Sequence, residues 1–551
     1  MSDAAAVTTS ARPTPRPGAG ALLVGVGILL SRLSGLVRTR VLGHYLGIDA
    51  AADAYAAALR IPNFLQNLLG EGVLSASFIP VYASLRARGP EGERDARRVA
   101  GAVAGLLGVT AGLFALLGSA LTPWLIELIA PGFHGETRAL AIRLVRIFFP
   151  GVSLLVLSAF CLGVQNSHRR FLLSYVAPVL WNAAIVAALL LGGRARLGQF
   201  ELATVAAWGM VAGSALQLSA QLPTVLRLLG GPRAAFSSLS LGRGDANVRS
   251  VAASFFPVLI GRGVVQISGY VDTFIASWLP TGALAAIVYA QTLYMLPVSL
   301  FGMAISAAAL PAMSAAQGEG TEETRAAALR EQLAQGLRHI AFPVIPSAVA
   351  FLALGDVICA ALFQTGRFSA ADARWVWAIL AGSTVGLLAQ TMGRLYSSTY
   401  YALRETRAPL RYAVVRVALT AGLGVLCALW LPKALGLSPR WGAVGLTASA
   451  GVAGQVEFYL LKRGLRGRIG EVALDLRLQG KLWAAACAAG LVALGVRNSL
   501  GLGPAFLQRP WPRAFLVLGA FGLVYLAGTL LLEVPEAQAA VARVRRLLKR
   551  R

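Results

Sequence analysis

Hydrophobic stretches of twenty or more residues recur along the whole chain, separated by short segments rich in arginine, proline and glycine. A run of about 20 apolar residues is what a helix needs to cross a bilayer. The hydrocarbon core offers no partner to backbone N–H and C=O groups, so such runs must be helical. The alternating ten-residue pattern of a membrane β-barrel does not appear. The pattern predicts an all-α polytopic membrane protein of about fourteen spans. These lie near 21–47, 53–85, 98–129, 138–166, 171–193, 201–229, 248–279, 284–316, 335–363, 373–403, 409–431, 441–461, 480–497 and 513–532. Several exceed the minimum length, so tilt or extension past the bilayer is expected.

The chain also echoes itself. LSGLVRT (33–39) returns as ISGYVDT (267–273), YAAALRIP (55–62) as YAQTLYMLP (289–297), and SASFIPVYAS (75–84) as SAAALPAMS (306–314). The matches keep their order, in spans one and two and then in seven and eight. Each half therefore starts on the same side of the membrane, as in parallel repeats whose substrate site lies between two lobes. The predicted organisation begins with a disordered cytoplasmic N-terminus (1–20), an N-lobe of helices 1–6 (21–229) and a cytoplasmic linker (230–247). A C-lobe of helices 7–12 (248–463), helices 13 and 14 (464–532) and a basic cytoplasmic tail (533–551) complete it.

Composition agrees with this picture. With 57% hydrophobic and 13% charged residues, a soluble chain would lack a water-compatible surface. The net charge of +26 could suggest nucleic acid, but the basic residues cluster between the apolar segments. Arg86, Arg88, Arg94, Arg97 and Arg98 follow the second span, and Lys462, Arg463, Arg466 and Arg468 follow the twelfth. The loops GIDAAA (47–52) and APGFHGE (130–136) hold no lysine or arginine. Even-numbered loops and both termini are thus expected in the cytoplasm. The tail VARVRRLLKRR (541–551) reads as a cytoplasmic stop signal ahead of a specific lipid site. Cys161, Cys359, Cys427 and Cys487 lie in apolar segments without CxxC spacing and read as packing residues. No Walker motif, nucleophile elbow or His/Cys metal spacing appears, so the expectation is a transporter with no enzymatic activity, cofactor or metal.

Charged side chains inside spans are expensive and usually face a cavity or a partner. The second span carries Arg60, Asn63, Asn67, Glu71 and Ser75, whose steps of three and four place them on one helical face. Arg60 and Glu71 would then lie about 16 Å apart along the axis. The seventh span carries Arg262, Gln266, Gly269 and Thr273, and the tenth Gln390, Arg394, Ser397 and Tyr401. For the neutral residues, interhelical hydrogen bonding is an equal alternative. For Arg32, Arg38, Arg60, Arg262 and Arg394 it is weaker, because only Glu71, Asp272 and Asp53 stand as candidate partners. A cavity with surplus positive charge suits an anionic, phosphate-bearing substrate. Arg40, Arg143, Arg146 and Arg416 lie nearer predicted ends and read as snorkelling side chains. Gly35 and Pro62 are expected to bend or break spans one and two.

At SRLSGLVR (31–38), DAYAAALRIPN (53–63) and EGVLSASFIPVYA (71–83), the sequence resembles the MurJ/MviN family of lipid II flippases. These form a branch of the multidrug/oligosaccharidyl-lipid/polysaccharide exporter group. The likeness continues through GVQNSHRRF (163–171), GMAISAAALPAMS (302–314) and FQTGRFSAADA (363–373), and covers roughly residues 21–535. It implies fourteen helices in two lobes around a cationic cavity that opens alternately to each side. It further implies that lipid-linked muropeptide is carried to the outer leaflet of the bacterial inner membrane for cell-wall synthesis. Helices 13 and 14 would form an apolar groove for the lipid tail. By carry-over, Arg32 and Arg38 match the arginines of the first helix, Arg60 the basic residue before the IPN-like motif, Asp53 the DAF-like aspartate and Glu71 the EG glutamate.

Departures accompany the likeness. Gln66 and Asn67 stand where the family commonly has basic residues, Thr292 replaces the arginine of a YADRL-like motif, and Gly424 replaces an asparagine. A cation site involving Asp272 is thereby placed in doubt, and Arg262 is a candidate to restore the lost charge. Coupling to an ion gradient or to membrane potential is expected. Expected partners are the undecaprenyl-pyrophosphate-linked glycan, membrane lipids and cell-wall synthesis enzymes, without nucleic acid. Alternatives are another polyprenyl-linked glycan, a drug/cation antiporter (disfavoured by the scarcity of acids) or a non-transporting cell-wall scaffold.

Overall fold

The computed structural model describes residues 17–168, 170–242, 244–316, 321–472 and 474–548, and every regular element among them is helical. The first half comprises α1 (Pro17–Leu46), α2 (Ala50–Leu69), α3 (Glu71–Arg86), α4 (Pro90–Ile129), α5 (Gly135–Ser167), α6 (Phe171–Arg194) and α7 (Gln199–Leu228). A short α8 (Pro232–Ser237) lies within the predicted linker. The second half comprises α9 (Ala246–Ser277), α10 (Ala283–Pro297), α11 (Ala304–Ala315), α12 (Glu322–Phe363), α13 (Ala370–Thr384), α14 (Leu387–Ala402), α15 (Arg407–Val425), α16 (Leu431–Ala434) and α17 (Trp441–Ile469). Then follow α18 (Leu476–Gly501), α19 (Ala505–Gln508), α20 (Pro510–Leu531) and α21 (Pro535–Leu548). Among the described residues, nine helices are long and apolar enough to cross a membrane. A tenth span is formed if α13 and α14, which meet at 45°, are counted together.

Each half is organised around one largely buried helix. In the first, α5 packs against α2, α4 and α7, and α6 lies between α1 and α7. Close approach is bought by small residues: a Cβ on Gly118 of α4 would fall 2.1 Å from the Phe149 ring of α5. In the second half α12 packs against α13 and α14, while α15 and α13 flank α17. The pair α18 and α20 packs together on the outer side of α12. An Arg497–Asp356 ion pair at 3.1 Å and a hydrogen bond from Tyr525 to the Phe342 carbonyl at 2.6 Å fix that attachment.

The helix interruptions differ from those expected. α1 runs unbroken through Gly35 and α2 through Pro62. The second span is interrupted at Gly70 instead, where a Cβ would meet the Gln66 carbonyl at 2.1 Å. The segment carrying the similar YAQTLYMLP and SAAALPAMS motifs is interrupted by a π-helical turn, Val298–Met303, between α10 and α11. The predicted single polar face from Arg60 to Ser75 therefore ends at Gly70. The predicted disordered segment 1–20 lies outside the described residues up to 16, and α1 already begins at Pro17. The tail is helical as α21 up to Leu548.

Candidate functional site

Three cavities meet between the halves, and Arg60 lines all of them. The largest, about 650 Å³, is walled by α1, α2, α6 and α10. It gathers Arg32, Arg38, Arg60 and Asn63, with no carboxylate among its lining residues. Arg38 is held over the Trp181 ring at 4.8 Å, and its buried Nε has no hydrogen-bond partner among the described residues. An aromatic face steadies a guanidinium while leaving its N–H groups available. Asn182 donates to Ser34 Oγ at 2.9 Å and so ties α6 to α1 at the same level.

Arg60 donates to Gln291 Oε1 at 3.3 Å, and its carbonyl accepts from the Tyr270 hydroxyl at 3.3 Å. These contacts join α2 to α10 and α9. A second cavity, about 310 Å³, opens on the far side of Arg60 and is lined by Asp272, Tyr294, Gln390 and Arg416. There Arg416 pairs with Glu457 at 3.4 Å, both about one-fifth exposed, and Tyr294 donates to Gln390 at 2.5 Å. One oxygen of Asp272 is buried without a hydrogen-bond partner among the described residues. Asn67 joins Asn63 and Arg60 in a third space of about 240 Å³.

Several expectations are corrected here. Asp53 is not a cavity charge. Its carboxylate accepts from the backbone N–H groups of Gly282 at 2.6 Å and Ala285 at 2.8 Å, capping the start of α10. Gly282 has φ of 90°, and a Cβ there would strike Ile48, so the cap needs glycine. The same end is further closed by His44 with Thr365 at 2.9 Å, by Arg367 with Asp49 at 3.6 Å and by the Tyr289 hydroxyl on the Gly47 carbonyl at 3.2 Å. Arg416 does not snorkel but lies nine residues into α15, facing the second cavity. Arg40 bonds the terminal carbonyls of α12, at Ala361 and Leu362, instead of reaching for water. Arg394 is half-buried beside Tyr294, Arg416 and Glu457 and is not a lining residue of these cavities. The side chains of Glu71, Arg262 and Gln266, the last two on α9, lie outside the described residues, as do Arg169 and Arg243. Arg416, Glu457 and Trp181 are the site residues that sequence reasoning missed.

A family model described as lipid II flippase MurJ matches residues 42–520. The chain belongs to the MurJ family. A lipid II flippase MurJ from Burkholderia cenocepacia is 30% identical over 443 residues, 80% of this chain and 82% of that protein. A probable lipid II flippase MurJ from Bdellovibrio bacteriovorus is 31% identical over 517 residues, covering 92% and 94%. A solved lipid II flippase MurJ in an inward closed conformation matches with TM-score 0.73 over 92% of this chain and 98% of that one. An inward-facing multidrug resistance MATE transporter of the MOP superfamily matches with TM-score 0.64 over 81% and 98%. At 21% and 16% identity, these two likenesses are of fold. All three positions where the resemblance to MurJ proteins implied a missing basic residue line the cavities: Gln66 and Thr292 the largest, Gln66 and Asn67 the smallest.

Proposed function

We propose that this protein is a lipid II flippase of the bacterial cytoplasmic membrane, moving the lipid-linked peptidoglycan precursor to the outer leaflet by alternating access. It is a transporter, not an enzyme. Family membership supports the cargo, and the observation that carries the mechanism is the cavity lined by Arg32, Arg38 and Arg60 without a carboxylate. A guanidinium fork matches phosphate oxygens with parallel hydrogen bonds. The diphosphate of the cargo binds there, Asn63 and Asn67 contact its head group, and Arg60 serves as the shared wall with the second cavity.

Fourteen spans follow if α2 with α3, α10 with α11, α13 with α14 and α15 with α16 each cross once. Six then form each lobe, and α18 and α20 flank the lipid tail with exposed Leu491, Phe515 and Leu523. Both termini face the cytoplasm, in keeping with the basic even-numbered loops. Transport is driven by membrane potential or an ion gradient; membrane lipids surround the protein, and cell-wall synthesis enzymes receive its product. The test is rescue of a bacterium depleted of its own lipid II flippase. Wild type restores growth and Arg38→Ala does not; failure of the membrane-inserted wild type would overturn the reading. Binding of lipid II against other polyprenyl-linked glycans tests the cargo separately.

A further inference from the structure

The outer surface of α5 carries two arginines that the central cavities do not use. Arg143 and Arg146 are exposed one turn apart, and with Ile142, Pro150 and Trp208 they line a groove of about 400 Å³ beside α7. From 147 to 164 α5 has no charged residue. That run is about 27 Å long at 1.5 Å per residue, close to the hydrocarbon thickness of about 30 Å. The groove therefore sits where the apolar belt ends. Trp208 is 57% exposed, as interfacial tryptophans are. Gly132, in the loop just before α5, donates to Ser277 Oγ at 3.1 Å, so the groove lies at the end of the molecule that Asp53 closes.

Arg146 does not merely rise toward water. Arg138 pairs with Glu127 at 3.1 Å, and eight residues deeper on both helices Arg146 Nε donates to the Ser119 carbonyl at 3.3 Å. The side chain thus runs level across to α4. Ser119 needs that donor because Pro123, four residues on, has no N–H. Pro150 leaves the carbonyl of Arg146 without its helical donor in the same way. Both helices are opened at one level, and the opening is polar. The terminal nitrogens of Arg146 and the whole Arg143 guanidinium have no protein partner among the described residues. An unpaired guanidinium pair at a membrane edge is matched by a phosphate.

We infer that Arg143 and Arg146 form a lateral site for the phosphate of an anionic phospholipid, its acyl chains descending past Ile147 and Pro150. The leaflet, the outer one, rests on the orientation proposed above; the site itself does not depend on flipping. The test is native mass spectrometry of the delipidated full chain with phosphatidylglycerol, phosphatidylcholine or undecaprenyl diphosphate added back. Wild type is expected to retain phosphatidylglycerol over phosphatidylcholine. Arg143→Gln, which loses no hydrogen bond or ion pair among the described residues, is expected to lower phosphatidylglycerol retention about fivefold, the effect of one basic residue at an anionic surface. Arg146→Gln is expected to do the same and to loosen the contact with Ser119. Equal retention by wild type and Arg143→Gln would overturn the site. A loss confined to undecaprenyl diphosphate would overturn its assignment to phospholipid.

Discussion

The two larger cavities that share Arg60 draw on helices with similar motifs yet treat charge in opposite ways. LSGLVRT in α1 and ISGYVDT in α9 keep the same internal bond: Thr39 Oγ1 donates to the Gly35 carbonyl at 3.0 Å and Thr273 Oγ1 to the Gly269 carbonyl at 2.9 Å. One residue before each threonine the charge inverts, with Arg38 in the first half and Asp272 in the second. The first cavity then gathers three arginines and no acid. The second sets Asp272 among its lining residues and Glu457 against Arg416. The two motifs keep the same backbone-level bond while their charge differs, so among the described residues the arginines without a lining carboxylate belong to the larger cavity. Arg416 brings positive charge to the second cavity, there paired with Glu457.

Removing Arg38 attacks that contrast most directly. A hydrogen bond to a charged group contributes about 1.5–3 kcal/mol, so Arg38→Ala is expected to weaken lipid II binding on the order of ten- to a hundredfold. Arg38→Asp, which copies the second half, is expected to abolish rescue entirely. Normal growth of either variant would sink the idea of a phosphate site in the larger cavity. The ion pair of the second half is tested by stability. Arg416→Ala strands the Glu457 carboxylate, a change that costs on the order of 3 kcal/mol in buried pairs. Adding Glu457→Ala is expected to recover most of it, and a double-mutant cycle without coupling would count against the pairing.

Smaller effects come from the ends of the two halves. Asp53→Ala removes the cap of α10, worth about 1 kcal/mol. It is expected to raise labelling of a Thr39→Cys variant by an impermeant thiol reagent added from outside; unchanged labelling would mean the cap does not hold that end closed. At the other end, His168 accepts or donates a 3.0 Å hydrogen bond with the Tyr82 hydroxyl, near Arg86 and Arg170. Burial, followed by those two arginines, lowers its pKa from 6.5 to about 4. A histidine held neutral in the fold loses stability as pH falls below its unfolded value, and the loss levels off near the folded one. Thermal stability is therefore expected to decline between pH 6.5 and about 4, less steeply in His168→Gln. Identical pH profiles would remove His168 from the account.

Spans and cavity arginines were largely readable because apolar length and misplaced charge are local signals. Arg32, Arg38, Arg60 and Asn63 line one cavity, as expected of charged and polar residues placed inside neighbouring spans. What escaped depends on distant backbone. The partners of Asp53 are the N–H groups of Gly282 and Ala285, which carry no side-chain signature. Arg416 was misread because its distance from a loop suggested an interface, whereas α15 carries it beside α17 and Glu457. The second span is broken at Gly70 and not at Pro62: Gly70 leaves the helical conformation, and there a Cβ would meet the Gln66 carbonyl of the preceding turn. The interruption also ended the polar face that period counting had extended to Ser75.

The unbonded Nε of Arg38 beneath Trp181 has a consequence for engineering. A guanidinium kept free of carboxylates inside a membrane protein weakens the empty fold, and an apolar residue of similar volume would pack there at lower cost. Selection for heat resistance alone would therefore drift toward sequences that have lost this arginine. Under the phosphate role proposed for Arg38, the most robust descendants of such a campaign would be well-folded proteins that carry nothing.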